Sequence, residues 1–275
     1  MLANMNQIFE YWGDKGAVAG FNVFGYEDTM AVVRAAERLN VPVMLMTNRD
    51  CVRHMPLRYL APMLLTAAKE SKVPVAVHLD HSASVDTAMT AIELGFNSVM
   101  FDGSQLPVEE NIRETARLIE FAHSRNVSVE AEIGSVGYDD GAIQAEARLT
   151  TPEDVSTFMS GAPVDALAVA VGTVHRMVKQ TANIDFDLLS KLSEKTDVPL
   201  VIHGSSGVPD DQLRKLALAG AKKINIGTNL RLAFGNTLRS QMEADPKVFD
   251  RLVLFKGCME AVEEAALHKM ELLML

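Results

Sequence analysis

A short run of β-branched and aliphatic residues, followed by an amphipathic helical stretch, recurs eight times along the 275 residues of this chain. Such alternation is typical of parallel sheets in which each strand is followed by a helix. The predicted strands span residues 18–24, 41–47, 73–80, 98–102, 127–133, 166–172, 198–203 and 222–227. The predicted helices begin near Asp28, Leu57, Ser84, Pro107, Thr151, Asp185, Pro209 and Asn229. Several of these starts carry a capping Ser, Thr or Asp or an early proline.

The predicted strands are mostly apolar on both faces, which suits a parallel sheet covered by helices. Length alone permits one large barrel or two smaller domains. Eight strand–helix units in this length favour a closed barrel over a doubly wound sheet. We therefore predict an α/β fold, a single-domain (β/α)8 TIM barrel over residues 1–275. An amphipathic tail, about residues 255–270, is predicted to be an extra helix docked on the barrel or on a neighbouring subunit.

Composition and charge limit the partners of the chain. The formal net charge of -10 argues against binding to nucleic acid or to an acidic membrane surface, because both require a basic face. An anionic substrate must then be held by local donors. The two cysteines, Cys51 and Cys258, form no metal-binding or redox pair, and the longest apolar stretches are too short to span a bilayer. With no recognisable signal segment at the N-terminus, we expect a cytoplasmic protein.

Three histidines follow separate predicted strands. His81, His175 and His203 come after the third, sixth and seventh strands, and the carboxyl ends of barrel strands share one face. Three imidazoles suit a catalytic Zn²⁺ that keeps one position open for substrate oxygens. A single histidine at a strand end is more often a hydrogen-bonded structural residue, so both interpretations stay open at this point.

Acidic residues occupy the same strand ends. Asp80 directly precedes His81, where a carboxylate is able to act on a substrate hydroxyl, to cap a helix or to orient a metal-bound imidazole. Asp102 and Glu132 end neighbouring strands and serve equally well as solvated strand ends or as partners of a lysine. His78, two residues before Asp80, is expected to support a ligand rather than to be one.

Two loops rich in small residues follow the seventh and eighth strands. They are 203–207, with sequence HGSSG, and 225–228, with sequence NIGT just before a helix. Exposed backbone N–H groups, hydroxyls and a helix N-terminus together make an anion cradle, and these two loops form the usual phosphate site of such barrels. Tight turns alone also explain small residues there, but the position favours a phosphate.

An ordered set of motifs resembles the class II, metal-dependent fructose-bisphosphate and tagatose-bisphosphate aldolases. The resemblance covers essentially the whole chain, from Gly20-Phe21-Asn22 to the C-terminal helix. The motifs are His78-Leu79-Asp80-His81, Glu130-Ala131-Glu132-Ile133-Gly134, Gly172-Thr173-Val174-His175, His203-Gly204-Ser205-Ser206-Gly207 and Lys223-Ile224-Asn225-Ile226.

The resemblance implies a Zn²⁺ bound by His81, His175 and His203, with Asp80 exchanging the proton of the substrate's C4 hydroxyl. Asp102 and Glu132 match acids that hold the metal in an alternative position. A monovalent cation near the phosphate site is also implied.

Further roles follow from the same resemblance. Gly204, Ser206, Asn225, Gly227 and Thr228 match the positions that hold the C1 phosphate. A closing loop is expected to bring Lys179 over that phosphate. Asp139 approximately matches a mobile-loop acid that takes the proton from the nascent dihydroxyacetone-phosphate carbon. A homodimer or homotetramer is implied as well.

Some positions depart from the family pattern. Arg176 replaces the usual glycine after the second ligand histidine, and either crowds the loop, points to solvent or adds a guanidinium to the anion site. Asp139 replaces the usual glutamate. Lys247 replaces the arginine that reaches a neighbouring subunit's distal phosphate, which keeps the charge but loses the bidentate fork. Asn48 and Arg49 stand where a small hydroxyl residue is common, so these changes concentrate at the distal end of the substrate.

The sequence is compatible with three functions. The leading one is reversible cleavage of a phosphorylated ketose, such as fructose or tagatose 1,6-bisphosphate, to dihydroxyacetone phosphate and an aldehyde. The second is an aldolase whose substrate carries a different distal anion, such as a sulfonate. Arg49, Arg176 or Lys247 would bind that anion. The third is a non-catalytic binding or regulatory subunit built on the same barrel.

Overall fold

A computed structural model of the chain describes residues 1–82, 84–138, 147–177 and 179–275. Eight parallel strands form a closed barrel, in which each strand pairs with its neighbours in sequence and the first pairs with the last. They are β1 (Val18–Asn22), β2 (Val43–Thr47), β3 (Val75–Ser82), β4 (Ser98–Phe101), β5 (Ser128–Ile133), β6 (Ala166–Val169), β7 (Leu200–Ile202) and β8 (Ala221–Ile226). The predicted (β/α)8 barrel is therefore confirmed.

Helices alternate with these strands around the outside of the barrel. They are α1 (Met5–Trp12), α2 (Tyr26–Leu39), α3 (Arg49–His54), α4 (Leu57–Glu70), α5 (Val85–Glu93), α6 (Val108–His123), α7 (Pro152–Gly161), α8 (Phe186–Ser193), α9 (Asp210–Leu218), α10 (Thr228–Ala244) and α11 (Arg251–Leu273). A short 3₁₀ turn, Ser205–Gly207, follows β7, and a small parallel pair joins Gly137–Tyr138 to Val174–His175.

Local sequence accounts for the helix starts. The Thr151 hydroxyl accepts from the backbone N–H of Asp154, whose carboxylate accepts from the N–H of Thr151, and Pro152 stands at the first helical position of α7. The Ser84 hydroxyl caps α5 in a similar way. These capping hydrogen bonds, which are reciprocal at α7, satisfy N–H groups that a helix leaves without partners. The predicted starts lie within two residues of the observed ones.

Two helices were not predicted. The first, α1, begins with a capping box between Asn4 and Gln7 and places Met5 and Ile8 in full burial, while Ala3 donates to the Val75 carbonyl at 3.0 Å. Since Val75 begins β3, α1 packs at the amino-terminal end of the barrel. The second, α3, is a short helix that follows β2 and lies on the opposite, carboxyl-terminal side.

The C-terminal helix α11 packs against α2 and α10 of its own barrel. Its last turns are tied to the start of α9, because Asp210 accepts hydrogen bonds from Lys269 and, at 2.8 Å, from His268. The first turn of α11 and the preceding segment are exposed instead: Phe249 is 92% and Leu252 79% accessible. No helix in the described part of the chain is both long and apolar enough to cross a membrane.

Candidate active site

A cavity opens at the carboxyl-terminal end of the barrel strands. Its walls come from the ends of β1, β3 and β8, from α3, from the loops after β6 and β7, and from the first turns of α10. The lining residues are Asn22, Phe24, Asn48, Arg49, Asp50, Arg53, Asp80, His81, His175, Arg176, Gly204, Ser205, Ser206, Asn225, Gly227, Thr228 and Arg231. Most of the predicted site residues thus meet in one cavity.

The three predicted histidines converge at the inner end of this cavity. The ring centroids of His81 and His203 are 4.6 Å apart, those of His81 and His175 are 4.9 Å apart, and those of His175 and His203 are 6.0 Å apart. Each ring offers a nitrogen, and the three nitrogens lie within 4.8 Å of one another. Residues separated by up to 122 positions in sequence therefore form one cluster because three strand ends meet there.

An irregularity in β3 lets two consecutive residues face the cavity. Successive side chains on a strand point to opposite faces, so Asp80 and His81 cannot both line the cavity in a regular strand. His81 adopts a left-handed backbone conformation, with φ of 50°, and the pairing of β3 with β4 shifts register between Leu79 and Ser82. Positive φ is costly for a residue with a Cβ and is concentrated at functional sites. This distortion turns the His81 ring beside the Asp80 carboxylate.

Buried polar atoms in this cluster lack protein partners. Within the described residues, no hydrogen bond reaches His81 Nε2, His203 Nδ1 or Glu132 Oε2. Glu132 Oε2 lies 3.2 Å from His203 Nδ1, without the orientation of a hydrogen bond. Buried acceptors and ring nitrogens that point at one another without hydrogen bonds destabilise the folded protein unless a cation lies among them. The donor set therefore fits a metal ion.

The acids around the histidines add to this fit. Asp102 Oδ2 lies 3.1 Å from His81 Nδ1, and Glu132 Oε2 lies 4.0 Å from the same nitrogen, so His81, Asp102 and Glu132 form a second group with metal-ligand spacing. Burial would raise the pKa of Asp102, but His81 and the hydrogen bonds from Ser104 lower it overall. The two acids predicted as an alternative metal position thus lie beside the histidine cluster.

The charges in the cluster favour a cation. Burial would lower the pKa of His203, but the hydrogen bond to Glu130 and the nearby charge of Glu132 raise it to about 10. The pKa of His175 is held well below its usual range by burial and by the neighbouring His81 and His203 rings. His203 therefore occupies a place where positive charge is stabilised, and His175 is a neutral donor.

Asp80 is held from two sides by amides. Asn22 Nδ2 donates to Asp80 Oδ2 at 2.9 Å, and Asn225 Nδ2 donates to Asp80 Oδ1 at 3.1 Å. Burial would raise the pKa of Asp80, but the charges of His81, His203 and Lys223 lower it to about 2. Asp80 is therefore a fixed carboxylate at neutral pH, and each of its oxygens keeps a lone pair for a further donor.

A cradle of backbone and hydroxyl groups lies on another side of the cavity. Gly204 has φ of 66°, and a Cβ there would lie 2.8 Å from the Val174 carbonyl carbon, so only glycine fits without displacement. In the described chain, Ser206 Oγ is buried with no protein partner. Gly227 precedes α10 and provides no side-chain cap, and Thr228 begins that helix beside it. A helix N-terminus and a buried hydroxyl are suitable donors for an anion.

Helix α3 brings arginines to the opposite, outer part of the cavity. Asn48 Oδ1 accepts from the backbone N–H groups of Asp50 and Cys51, both at 3.1 Å, and so fixes the start of α3. Arg49 and Arg53 are four residues apart on this helix and both line the cavity. The predicted residues Asn48 and Arg49 therefore reach the site, although the Asn48 oxygen is used to cap α3.

Arg176 spans the mouth of the cavity. It has a left-handed backbone, with φ of 62°, and its guanidinium lies 2.6 Å from Asp50 Oδ2 on α3. Arg231, on the second turn of α10, lines the same region and lies over the Phe24 ring, 5.1 Å from its centroid. The cavity is thus rich in guanidinium groups although the chain has a net charge of -10.

Comparison with known proteins identifies the family. A sequence model of class II fructose-bisphosphate aldolases matches residues 3–275, nearly the whole chain. The chain belongs to the class II fructose-bisphosphate aldolase family. It is a carbon–carbon lyase, and its family is generally metal-dependent.

Solved structures agree with this membership. The YdjI aldolase from Escherichia coli K12 aligns at 31% sequence identity and a TM-score of 0.88, over 99% of this chain and 97% of that chain. A Coccidioides immitis protein described as a fructose-1,6-biphosphate aldolase aligns at 25% identity and a TM-score of 0.85, over 97% and 94% of the two chains. A fructose-bisphosphate aldolase from Campylobacter jejuni aligns at 21% identity and a TM-score of 0.84, over 99% and 95%, a similarity of fold.

Of the predicted site residues that the structure describes, His203, Asp102 and Glu132 belong to the cluster around His81 rather than to the cavity lining, and Lys179 and Lys247 lie outside both. Lys179 is exposed in the segment before α8, and Lys247 is exposed in the segment between α10 and α11. Asp139, the predicted mobile-loop acid, lies outside the described residues.

Other residues of the aldolase site were not anticipated. Asn22, Glu130 and Lys223 stand in the family motifs but were given no role. The signal for Glu130 and Lys223 is that each precedes another polar residue by two positions on an otherwise apolar strand, and so shares its inward face. Arg53 and Arg231 carry no such signal, because a helix arginine is ordinarily solvated.

Proposed function

We propose that this aldolase reversibly cleaves a ketose 1,6-bisphosphate of the fructose or tagatose type, or a related ketose 1-phosphate, to dihydroxyacetone phosphate and an aldehyde. We further propose that the metal is zinc, held by His81, His175 and His203. The observation that carries this proposal is that the Asp80 carboxylate and the 204–206 and 227–228 cradle line one cavity, with the cluster of three imidazoles at its inner end.

Zinc is favoured by the chemistry of the donors. Three imidazole nitrogens form a borderline-soft set that suits Zn²⁺ and leaves a position for substrate oxygens, whereas Mg²⁺ and Ca²⁺ prefer oxygen donors. When bound, the cation supplies positive charge that offsets the negative charge developing on substrate oxygens as the C3–C4 bond breaks. Glu132 and Asp102 provide the adjacent alternative ligands.

The Asp80 carboxylate is placed to accept the proton of the C4 hydroxyl in cleavage and to return it in synthesis. Asn22 and Asn225 hold both of its oxygens, so the group does not rotate away from a bound substrate. The side-chain oxygens of these two asparagines are buried, and no group in the described part of the chain donates a hydrogen bond to them. They are suitable acceptors for sugar hydroxyls, and their positions on either side of Asp80 fit a polyol chain.

The C1 phosphate is proposed to bind between the 3₁₀ turn after β7 and the start of α10. The backbone N–H groups near Gly204 and Gly227, together with the hydroxyls of Ser206 and Thr228, supply neutral donors suited to a phosphate.

The outer part of the cavity favours a substrate with a second anion. Arg49, Arg53 and Arg231 line it and form no close ion pair in the described chain, although Arg231 lies near enough to Asp28 to interact with its charge, whereas Arg176 is paired with Asp50. A guanidinium binds phosphate, sulfonate and carboxylate groups alike through its planar donors. A ketose 1-phosphate with a different distal anion, such as a sulfonate, is therefore a second candidate substrate.

We also propose a homodimer or homotetramer. The exposed apolar side chains at the start of α11, with Phe249 the most accessible, form a surface that a second copy of the chain would bury. Lys247 lies in the same segment and would reach a neighbouring subunit more readily than its own cavity.

The proposal is tested by turnover of fructose 1,6-bisphosphate, tagatose 1,6-bisphosphate, a ketose 1-phosphate without a distal anion, and a sulfonated ketose phosphate. We expect exhaustive chelation to abolish cleavage and Zn²⁺ to restore it. The Asp80→Asn variant is expected to retain bound zinc and to lose about 10²-fold or more in kcat, the usual effect of removing a general base. Full activity of metal-free protein, or wild-type kcat in the variant, would contradict the assignment.

A further inference from the structure

A fully buried carboxylate lies beneath the histidine cluster and uses its two oxygens differently. Glu130 stands on β5, two residues before Glu132 and on the same strand face. Its Oε1 lies 2.9 Å from His203 Nε2, and its Oε2 accepts from Lys223 Nζ at 2.6 Å. Glu130, Lys223 and His203 are each 0% exposed.

The contact with Glu130 decides which nitrogen of His203 is available. An ionised carboxylate only accepts hydrogen bonds, so His203 Nε2 carries a proton and donates to it. His203 Nδ1 is then the nitrogen that faces the cluster, and it has no hydrogen-bond partner in the part of the chain that the structure describes. The ring is therefore held with Nδ1 toward His81 and Glu132.

His81 is held in the opposite sense. Its Nδ1 faces Asp102 Oδ2 at 3.1 Å, which leaves Nε2 directed at the cluster. Carboxylates thus hold the outer nitrogens of both rings, but their surroundings differ, because Asp102 is partly exposed and Glu130 is not. A carboxylate without water must be paired to remain ionised. Lys223 supplies that charge.

We propose that Glu130 and Lys223 form a buried charge pair that positions His203, presenting its Nδ1 to the metal and strengthening that nitrogen as a ligand. Both are positioning residues, since neither lines the substrate cavity. The other side of the pair is closed by His78, whose Nδ1 lies 2.7 Å from Ser98 Oγ and whose Nε2 lies 3.9 Å from Glu130 Oε2. The inference rests on the proposed metal site.

The decisive test removes both charges together. Removing one alone leaves the other buried without a partner, which by itself destabilises a protein, so the variant is Glu130→Gln with Lys223→Met. Glutamine keeps the shape and an oxygen that accepts from His203 Nε2, but it lacks the charge. We expect the affinity for Zn²⁺, measured by competition with a chromophoric chelator, to fall 10- to 100-fold, the usual range for losing an outer partner of a metal ligand. The visible bands of the Co²⁺-substituted protein should shift as well.

A matched control neutralises another lysine–carboxylate pair. Lys269 is 6% exposed and donates to Asp210 at the junction of α9 and α11. Neither residue lines the active-site cavity, so Asp210→Asn with Lys269→Met should lower thermal stability and leave Zn²⁺ affinity and the Co²⁺ spectrum unchanged. If both double variants bind Zn²⁺ like the wild type, the Glu130–Lys223 pair is only structural and the inference is wrong.

A second variant decides the question if the first does not fold. Glu130→Asp keeps the negative charge that offsets Lys223 but withdraws the carboxylate from His203 Nε2 by one methylene group. Weaker Zn²⁺ binding in a folded Glu130→Asp protein supports the inference, and wild-type affinity overturns it. A wild-type protein that binds no stoichiometric zinc would instead contradict the proposed function.

Discussion

Replacement of Arg176 by glycine is a sharp test of substrate recognition because its effect on stability is expected to be small. Glycine relieves the left-handed backbone at φ of 62°, which costs a residue with a Cβ about 1–2 kcal/mol. Against this, glycine loses about 0.5–1 kcal/mol in backbone entropy. The ion pair with Asp50, whose side chains are 34% and 39% exposed, contributes about 0.2–1 kcal/mol. These terms nearly cancel, so the free energy of unfolding should change by about 1 kcal/mol or less.

Activity should respond much more strongly if the guanidinium binds the substrate. A hydrogen bond to a charged group is worth about 1.5–3 kcal/mol, which corresponds to about a tenfold to 150-fold loss in kcat/KM, mostly through KM. The assay compares kcat/KM for fructose bisphosphate, tagatose bisphosphate and a sulfonated ketose phosphate, with denaturant unfolding measured on the same samples.

Asp50→Asn is the matched control. It removes the same ion pair but leaves the Arg176 guanidinium in the cavity, so its KM should stay equal to that of the wild type or fall. Unchanged kcat/KM for all three substrates in Arg176→Gly would refute the reasoning. Substrate choice would then depend on Arg49, Arg53 or Arg231.

Three further predictions concern the cradle, the docking of α11 and the assembly. Gly204→Ala should destabilise the protein by about 2 kcal/mol or more and raise KM, because its Cβ would lie 2.8 Å from the Val174 carbonyl carbon at a φ of 66°; denaturant unfolding and kinetics measure both effects. Burial would raise the pKa of Asp210, but hydrogen bonds, above all from Lys269, lower it to about 2. Asp210→Asn should therefore cost at most about 1 kcal/mol above pH 4, after allowance for solvent screening, and this difference should disappear as the pH falls through about 2. Light scattering should show a dimer or tetramer that Phe249→Asp dissociates, and a compact wild-type monomer would contradict the proposed cross-subunit role of its segment.

Local sequence determines much of the architecture. The alternation of apolar runs and amphipathic stretches depends on residues within one element, and the caps at Ser84 and Thr151 act within three or four residues. Such short-range patterns predicted the eight strands, the helix starts and the barrel. Because barrel topology places every strand end on one face, the meeting of His81, His175 and His203 was predictable as well.

The tertiary structure alone decided how those groups are oriented. Asp80 and His81 share the cavity only because β3 is distorted at His81, where its pairing with β4 shifts register. The nitrogen that His203 presents depends on Glu130, 73 residues away in sequence. Sequence patterns report the period of an element, but not which partner reaches a ring from another strand.

The outer part of the cavity shows the same limit. The sequence marked Arg176 as a departure but did not reveal that it pairs with Asp50, 126 residues away, across the mouth of the cavity. Arg231 belongs to an ordinary helix surface in sequence, and only the tertiary structure brings it over Phe24, which follows β1. Short-range periodicity thus determined the scaffold, whereas contacts between distant strands and helices determined the charges and orientations within the site.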